Sequence, residues 1–235
     1  MRINADLCNG CARCIIMCPT NAITLINEKA IIDKDLCVEC NVCYRDAGCP
    51  VKAIRTEKLK WPRIIRSQFS SVVAKHKLTD IPGRGTEEMK TNDITGRFEK
   101  GELGISIELG RPGVSTKICN IELFTVKLAE IGAEFEEESP VTALFCDDKG
   151  HIKEELKEER VLSAVIEFKV PLEKFVLVSR IIRDVENIID TVFTVGVISK
   201  IENNNYSSIL DLIDQQGFKV APNGKVNIGL GKPII

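Results

Sequence analysis

The sequence predicts an α+β chain in two parts: a small cysteine-rich module, then an antiparallel sheet of split β-α-β order with helices on one face. Three observations lead there. Of ten cysteines, eight fall between Cys8 and Cys49. That stretch contains a repeated unit. Beyond residue 101 the hydrophobic pattern switches between strand-like and helix-like periods in the order β-α-β-β-α-β. The boundaries that follow are 1–58 for the module, 59–100 for a basic linker and a polar loop, and 101–235 for the α+β domain.

A length of 235 residues suits one small module and one ordinary domain. Hydrophobic residues at 44% and charged residues at 28% are normal for a chain that buries a core. The formal net charge of −2 gives no global field that would select nucleic acid or an anionic membrane. The N-terminus has no long apolar segment of the signal-peptide kind. The longest apolar run, 161–170, is broken by Ser163, Glu167 and Lys169 and falls short of the roughly 18 residues a membrane span needs. The expectation is a soluble, cytoplasmic protein without a membrane span or nucleic-acid partner.

The clustered cysteines, with no secretory signal before them, read as thiolate ligands and not as a disulfide framework. The first run is Cys8-Asn9-Gly10-Cys11-Ala12-Arg13-Cys14-Ile15-Ile16-Met17-Cys18-Pro19. The second is Cys37-Val38-Glu39-Cys40-Asn41-Val42-Cys43, followed after five residues by Cys49-Pro50. Three thiolates two residues apart can wrap one face of a cubane, while their loop turns backbone N–H groups toward the sulfides. Tetrahedral zinc also uses C-x2-C elements, but it does not call for a third cysteine two residues on, twice, with Cys-Pro beyond. The two runs resemble the bacterial-type 2[4Fe–4S] ferredoxin over residues 1–58. The resemblance implies two [4Fe–4S] clusters and an exchange of fourth ligands between the halves. Cluster I would take Cys8, Cys11, Cys14 and Cys49; cluster II would take Cys37, Cys40, Cys43 and Cys18.

The internal repeat sets Asp6-Leu7-Cys8 against Asp35-Leu36-Cys37, and Cys18-Pro19 with Ala22-Ile23 against Cys49-Pro50 with Ala53-Ile54. Residues 23–26 and 30–33 flank Asn27-Glu28-Lys29 as a hairpin. One departure from the family pattern is the five-residue spacer Tyr44-Arg45-Asp46-Ala47-Gly48, which puts equal cluster potentials in doubt. Residues 1–57 carry seven basic and seven acidic side chains. That balance points to a module with dedicated contacts and away from a promiscuous carrier.

Residues 58–79 have no acid but include Lys58, Lys60, Arg63, Arg66, Lys75 and Lys77, either a self-solvating linker or a docking surface for an acidic partner. Trp61 is expected to pack between the domains. The polar, glycine-punctuated stretch 80–97 is long for a connector and reads as a binding loop, with Arg84, Thr86 and Arg97 as contacts for an anion or a partner. Arg111, in the turn Gly110-Arg111-Pro112-Gly113, joins them.

In the second domain the pattern gives a strand at 104–109, a helix capped by Ser115 or Thr116 and running to Ile131, and strands at 141–146 and 161–170. A charged hairpin tip or short helix fills 149–160. A helix at 172–188, a strand at 192–201, a helix at 207–216 and a short strand at 225–231 complete the chain. The segment from Glu108 to Val114 and the helix ending Leu128-Ala129-Glu130-Ile131-Gly132 resemble the opening of an ACT domain. That resemblance implies binding of a metabolite, or subunit pairing through this domain. No catalytic residue stands out: Cys119 and Cys146 read as buried thiols, and His76 and His151 have no nucleophile beside them.

The function these features favour is relay of single low-potential electrons to a dedicated redox partner or larger complex. The alternative is a redox-sensing, regulatory or assembly factor whose second domain binds a metabolite or another subunit.

Overall fold

The computed structural model describes residues 1–75, 96–110, 114–200 and 207–220. The N-terminal part is built twice. Strand β1 (Arg2–Ile3) pairs with β4 (Ile54–Arg55), and β2 (Ile23–Ile26) pairs with β3 (Lys29–Ile32), both antiparallel. Asn27 and Glu28 both adopt positive φ, the two-residue turn whose twist matches a hairpin. Short helices α1 (Arg13–Ile16) and α2 (Val42–Asp46) follow the two cysteine loops. A small core of Met1, Ala22, Ile23, Ala30, Ala53 and Ile54 joins the halves.

Helix α3 (Ile64–Ser70) lies in the stretch whose composition suggested a solvated linker. It is amphipathic in an unusual sense. Ile65 and Phe69 enter the core of the second domain, while Arg66, only 6% exposed, faces the cysteine module. The Ser70 hydroxyl accepts from the Leu162 amide at 2.9 Å, so the helix is fastened to both parts. Trp61 is 53% exposed and does not fill the inter-domain position expected of it.

The second domain is an antiparallel sheet of four strands flanked by helices. Its strands are β5 (Glu102–Leu109), β7 (Glu134–Phe135), β9 (Ala164–Pro171) and β10 (Phe193–Ser199), in the spatial order β10-β5-β9-β7. A separate ribbon pairs β6 (Thr116–Lys117) with β8 (Arg160–Val161). On β5, Leu103, Ile105, Ile107 and Leu109 alternate onto one face and are wholly buried. They meet Ile121, Phe124 and Leu128 of α4 (Cys119–Glu130) and Val178, Ile182 and Val185 of α5 (Phe175–Glu186). These spacings of three and four place each helix's apolar stripe on that sheet face. Full burial of such side chains contributes about 1.5–3 kcal/mol each. Helix α6 (Ser207–Gln215) closes the described part, with Ile209, Leu212 and Ile213 against the core and the Arg183 guanidinium 4.1 Å from the Phe218 ring centre.

Three sequence expectations change. One strand of the sheet is Glu134–Phe135, where no strand was expected, and residues 141–146, expected as a strand, hold a 3-10 turn at Thr142–Leu144. Helix α4 ends in a Schellman turn, with Gly132 at φ 72 and Ala133 N–H donating to Leu128 O, and this delivers the chain straight into β7. Phe135 then packs edge-on to Phe145 at 5.1 Å, so the aromatic fixes the strand despite its charged neighbours. Neither Ser115 nor Thr116 caps α4: Ser115 sits at φ 77 and Thr116 is in β6. Cys146 is exposed and Cys119 half-buried. Arg111 and the terminal strand proposed at 225–231 lie outside the described residues.

Phe124 is fully buried and meets Phe193 edge-on at 5.2 Å. Phe124→Ala is expected to destabilise the fold by about 3–5 kcal/mol, seen as a lower urea midpoint by circular dichroism. Val195→Ala, at a partly exposed position on β10, is expected to stay within about 0.5 kcal/mol of the parent.

Candidate metal centre

The eight cysteines of the module divide between two cavities. Cys8, Cys11, Cys14 and Cys49 line the first, with Ile3, Ala30 and Val51 behind them. Cys18, Cys37, Cys40 and Cys43 line the second, with Met1, Ile23 and Val38. The fourth cysteine of each run thus faces the cavity of the other half. Among the described residues no group of three or more His, Cys, Asp or Glu side chains closes on a point that one metal ion would occupy. The thiols stand around a volume, not around a point.

The backbone is shaped identically in the two halves. Gly10 and Glu39, Ala12 and Asn41, and Asn21 and Lys52 are equivalent pairs, and all six have φ between 49° and 72°. These left-handed residues turn amides toward sulfur. Ala22 N–H donates to Cys18 Sγ at 3.2 Å, Ala53 N–H to Cys49 Sγ at 3.3 Å, and Ala30 N–H to Cys8 Sγ at 3.4 Å. Gly10 has a further reason to be glycine: a Cβ there would lie 2.6 Å from the Glu28 carbonyl oxygen.

Electrostatics differ among the cysteines, and in the first cavity burial raises Cys14. Amides of Ala30 and Gly10 hold the Cys8 thiol below its ordinary pKa. Burial raises Cys37 and Cys40, and it pushes Cys43 up to about 12, helped by the charges of Cys40, Cys37, Cys18 and Cys14. Cys11 is exposed at the first cavity, whereas Cys37, Cys40 and Cys43 are all buried at the second. Four such thiols ionise together only beside a strong positive charge, and this donor set fits an iron–sulfur group.

The second cavity is braced by residues that its spacing did not reveal. Glu39, 2% exposed, receives the Met1 ammonium at 2.5 Å and the Arg63 Nε at 2.9 Å. Burial works against its carboxylate, yet these two cations hold it below the usual carboxylate range. Arg66 Nη1 donates to the carbonyls of Lys34 (2.9 Å), Asp35 (3.1 Å) and Cys37 (2.9 Å), and its Nε pairs with Glu159 of the second domain. Glu39 was open to detection as the partner of Gly10 in the repeat. Arg63 and Arg66 carried no signal beyond belonging to a basic stretch. The five-residue spacer continues α2 and is pinned across the halves by Arg13 Nη1 on Gly48 O at 3.1 Å.

Of the polar-loop candidates, Arg84 and Thr86 lie outside the described residues, as does Arg111. Arg97 is placed, and its Nη1 pairs with Glu136 Oε2 at 2.5 Å on the second domain. It takes no part in either cysteine cavity. His151 bonds Asp147 at 2.7 Å in an exposed turn. No helix among the described residues is long and apolar enough to cross a membrane.

The family model described as a 4Fe-4S binding domain matches residues 1–24. The chain is 40% identical over 58 residues to pyruvate synthase subunit PorD of Methanothermobacter marburgensis, which is 25% of this chain and 65% of that one. It is 40% identical over 48 residues to a ferredoxin-like protein in the nif region of Sinorhizobium fredii, covering 20% of this chain and 75% of that one. It is 30% identical over 97 residues to ferredoxin Fdx2 of Sorangium cellulosum, covering 40% of this chain and 92% of that one. No solved structure gives a significant match. Through its N-terminal part, the chain belongs to the ferredoxin superfamily of iron–sulfur proteins.

Because both φ and space forbid a side chain at residue 10, Gly10→Ala is expected to displace the first cysteine loop and lower bound iron by about half, the share of one of two cavities. Retention of full iron by this variant, measured against protein concentration, would contradict the account of that loop.

Proposed function

We propose that the chain is an electron-transfer protein holding two [4Fe–4S] clusters, one per cavity, with Cys18 and Cys49 exchanged between the halves. The observation that carries the proposal is the division of eight cysteines into two sets of four around two cavities. A cubane has an iron at each of four corners, so its thiolates stand farther apart than those around one ion. That explains four cysteines lining a volume without meeting at a point. When bound, each cluster would supply reversible one-electron chemistry. The protein's own residues do the rest. Amides of Ala22, Ala30 and Ala53 stabilise negative sulfur, apolar Ile3, Ile23 and Val38 limit water, and exposed Cys11 leaves the first cavity open to exchange with a partner.

The second domain would serve a dedicated partner or larger complex, since one relative is described as a subunit of pyruvate synthase. A second reading, a redox-responsive regulator or assembly factor, draws on the Arg66–Glu159 pair, which links the second domain to a cysteine loop through Arg66. A homo-oligomer formed through the second domain belongs to that reading.

The test is analytical. Chain purified without oxygen is expected to contain close to eight iron and eight acid-labile sulfide, as two cubanes require. Cys18→Ala is expected to remove the signal of the cluster held by Cys37, Cys40 and Cys43 while sparing the other. Stoichiometric zinc without sulfide would overturn the proposal, and loss of the Cys8, Cys11 and Cys14 cluster in Cys18→Ala would overturn the exchange.

A further inference from the structure

We propose that Arg66 is a positioning residue through which Glu159 of the second domain sets the redox potential of the centre held by Cys18, Cys37, Cys40 and Cys43. The inference rests on the electron-transfer reading and adds the control of one of its two centres.

The two halves supply the comparison. Cys8 and Cys37 are equivalent, and each has a cation donating to its backbone carbonyl. At Cys8 the donor is Lys29 Nζ, at 2.6 Å, from the module's own hairpin. At Cys37 the donor is Arg66 Nη1, at 2.9 Å, from a helix whose Ile65 and Phe69 belong to the other domain's core. The first centre is served from within the module and the second from outside it.

Arg66 is committed to that task. Its Nη1 reaches three successive parts of the loop, Lys34 O, Asp35 O and Cys37 O, which leaves Nε for Glu159. Both side chains of the pair are largely buried, at 7% and 13% exposure, so solvent and salt screen them weakly. Other ion pairs at this loop join Glu39 with Arg63 and the Met1 ammonium, and Lys34 with Glu57. Arg66–Glu159 is the pair with one member anchored in the second domain.

The sign follows from charge alone. Reduction of the centre adds one electron, supplied in a titration by dithionite, and no proton. A neighbouring cation favours the more negative form and raises the potential. A carboxylate that partly neutralises that cation lowers it. Linkage then runs in both directions: whatever changes the grip of Glu159 on Arg66 changes the potential, and reduction changes that grip.

The test is a redox titration of the full chain, purified without oxygen and followed by electron paramagnetic resonance. The wild type is compared with Glu159→Gln, Arg66→Gln and Arg66→Lys, and the affected centre is identified as the one lost in Cys18→Ala. Glu159→Gln is expected to move that centre's midpoint positive and Arg66→Gln to move it negative, with the other centre unmoved. Arg66→Lys keeps the charge and is expected to stay between the wild type and Arg66→Gln. Loosened packing would shift both substitutions in the same direction. Shifts of one sign, or midpoints unchanged in Glu159→Gln, overturn this inference while iron and sulfide remain full. If Arg66→Gln does not fold, Glu159→Gln and Arg66→Lys decide the question. A wild-type chain without iron and sulfide overturns the electron-transfer reading itself, and that outcome is distinct from any shift.

Discussion

Like charges packed into a small volume repel, and the N-terminal part is organised around that constraint. Cys43 illustrates it: burial and four neighbouring cysteines together push its thiol up to about 12. Burial raises Cys37, Cys40 and Cys43 of the second cavity, and a compensating positive body would offset that cost. The left-handed residues, the inward amides and the small alanines at Ala22, Ala30 and Ala53 all make room for such a body or stabilise its sulfur. Apolar burial here is slight. A module of this size needs a staple beyond its core, and the cysteine cavities are where one fits.

The second domain has the opposite economy. Its sheet and two helices bury a continuous apolar core, and charged groups pair around it, as Lys157 does with Glu122 and Lys169 with Glu102. Among the described residues, a short helix connects these two kinds of structure. α3 places apolar side chains in one and a buried arginine against the other, so that the position of a cysteine loop depends on the packing of a distant core.

Much of this was legible in the sequence because it depends on short-range spacing. The cysteine runs, the hairpin at Asn27-Glu28 and the helices with apolar residues three and four apart each follow from local pattern. The failures share a cause as well. Glu134–Phe135 forms a strand because Phe135 finds Phe145 and Phe168, partners far along the chain, and a window of acidic neighbours conceals this. Arg63 and Arg66 read as part of either a solvated linker or a docking surface because their carbonyl and carboxylate acceptors are remote in sequence. Burial of a charge is decided by tertiary contacts, and composition cannot report it.

The exchange of Gly10 for Glu39 at equivalent left-handed positions deserves a last consequence. A perfectly duplicated module would present two interchangeable sides, and a neighbouring domain would have no basis for choosing between them. With Glu39 in the second half, one side carries a buried carboxylate that receives Arg63, while Gly10 in the first half leaves no room for any side chain at all. One residue therefore gives a twofold object a front and a back. The module can be mounted on α3 in a single orientation, and Cys11 stays exposed.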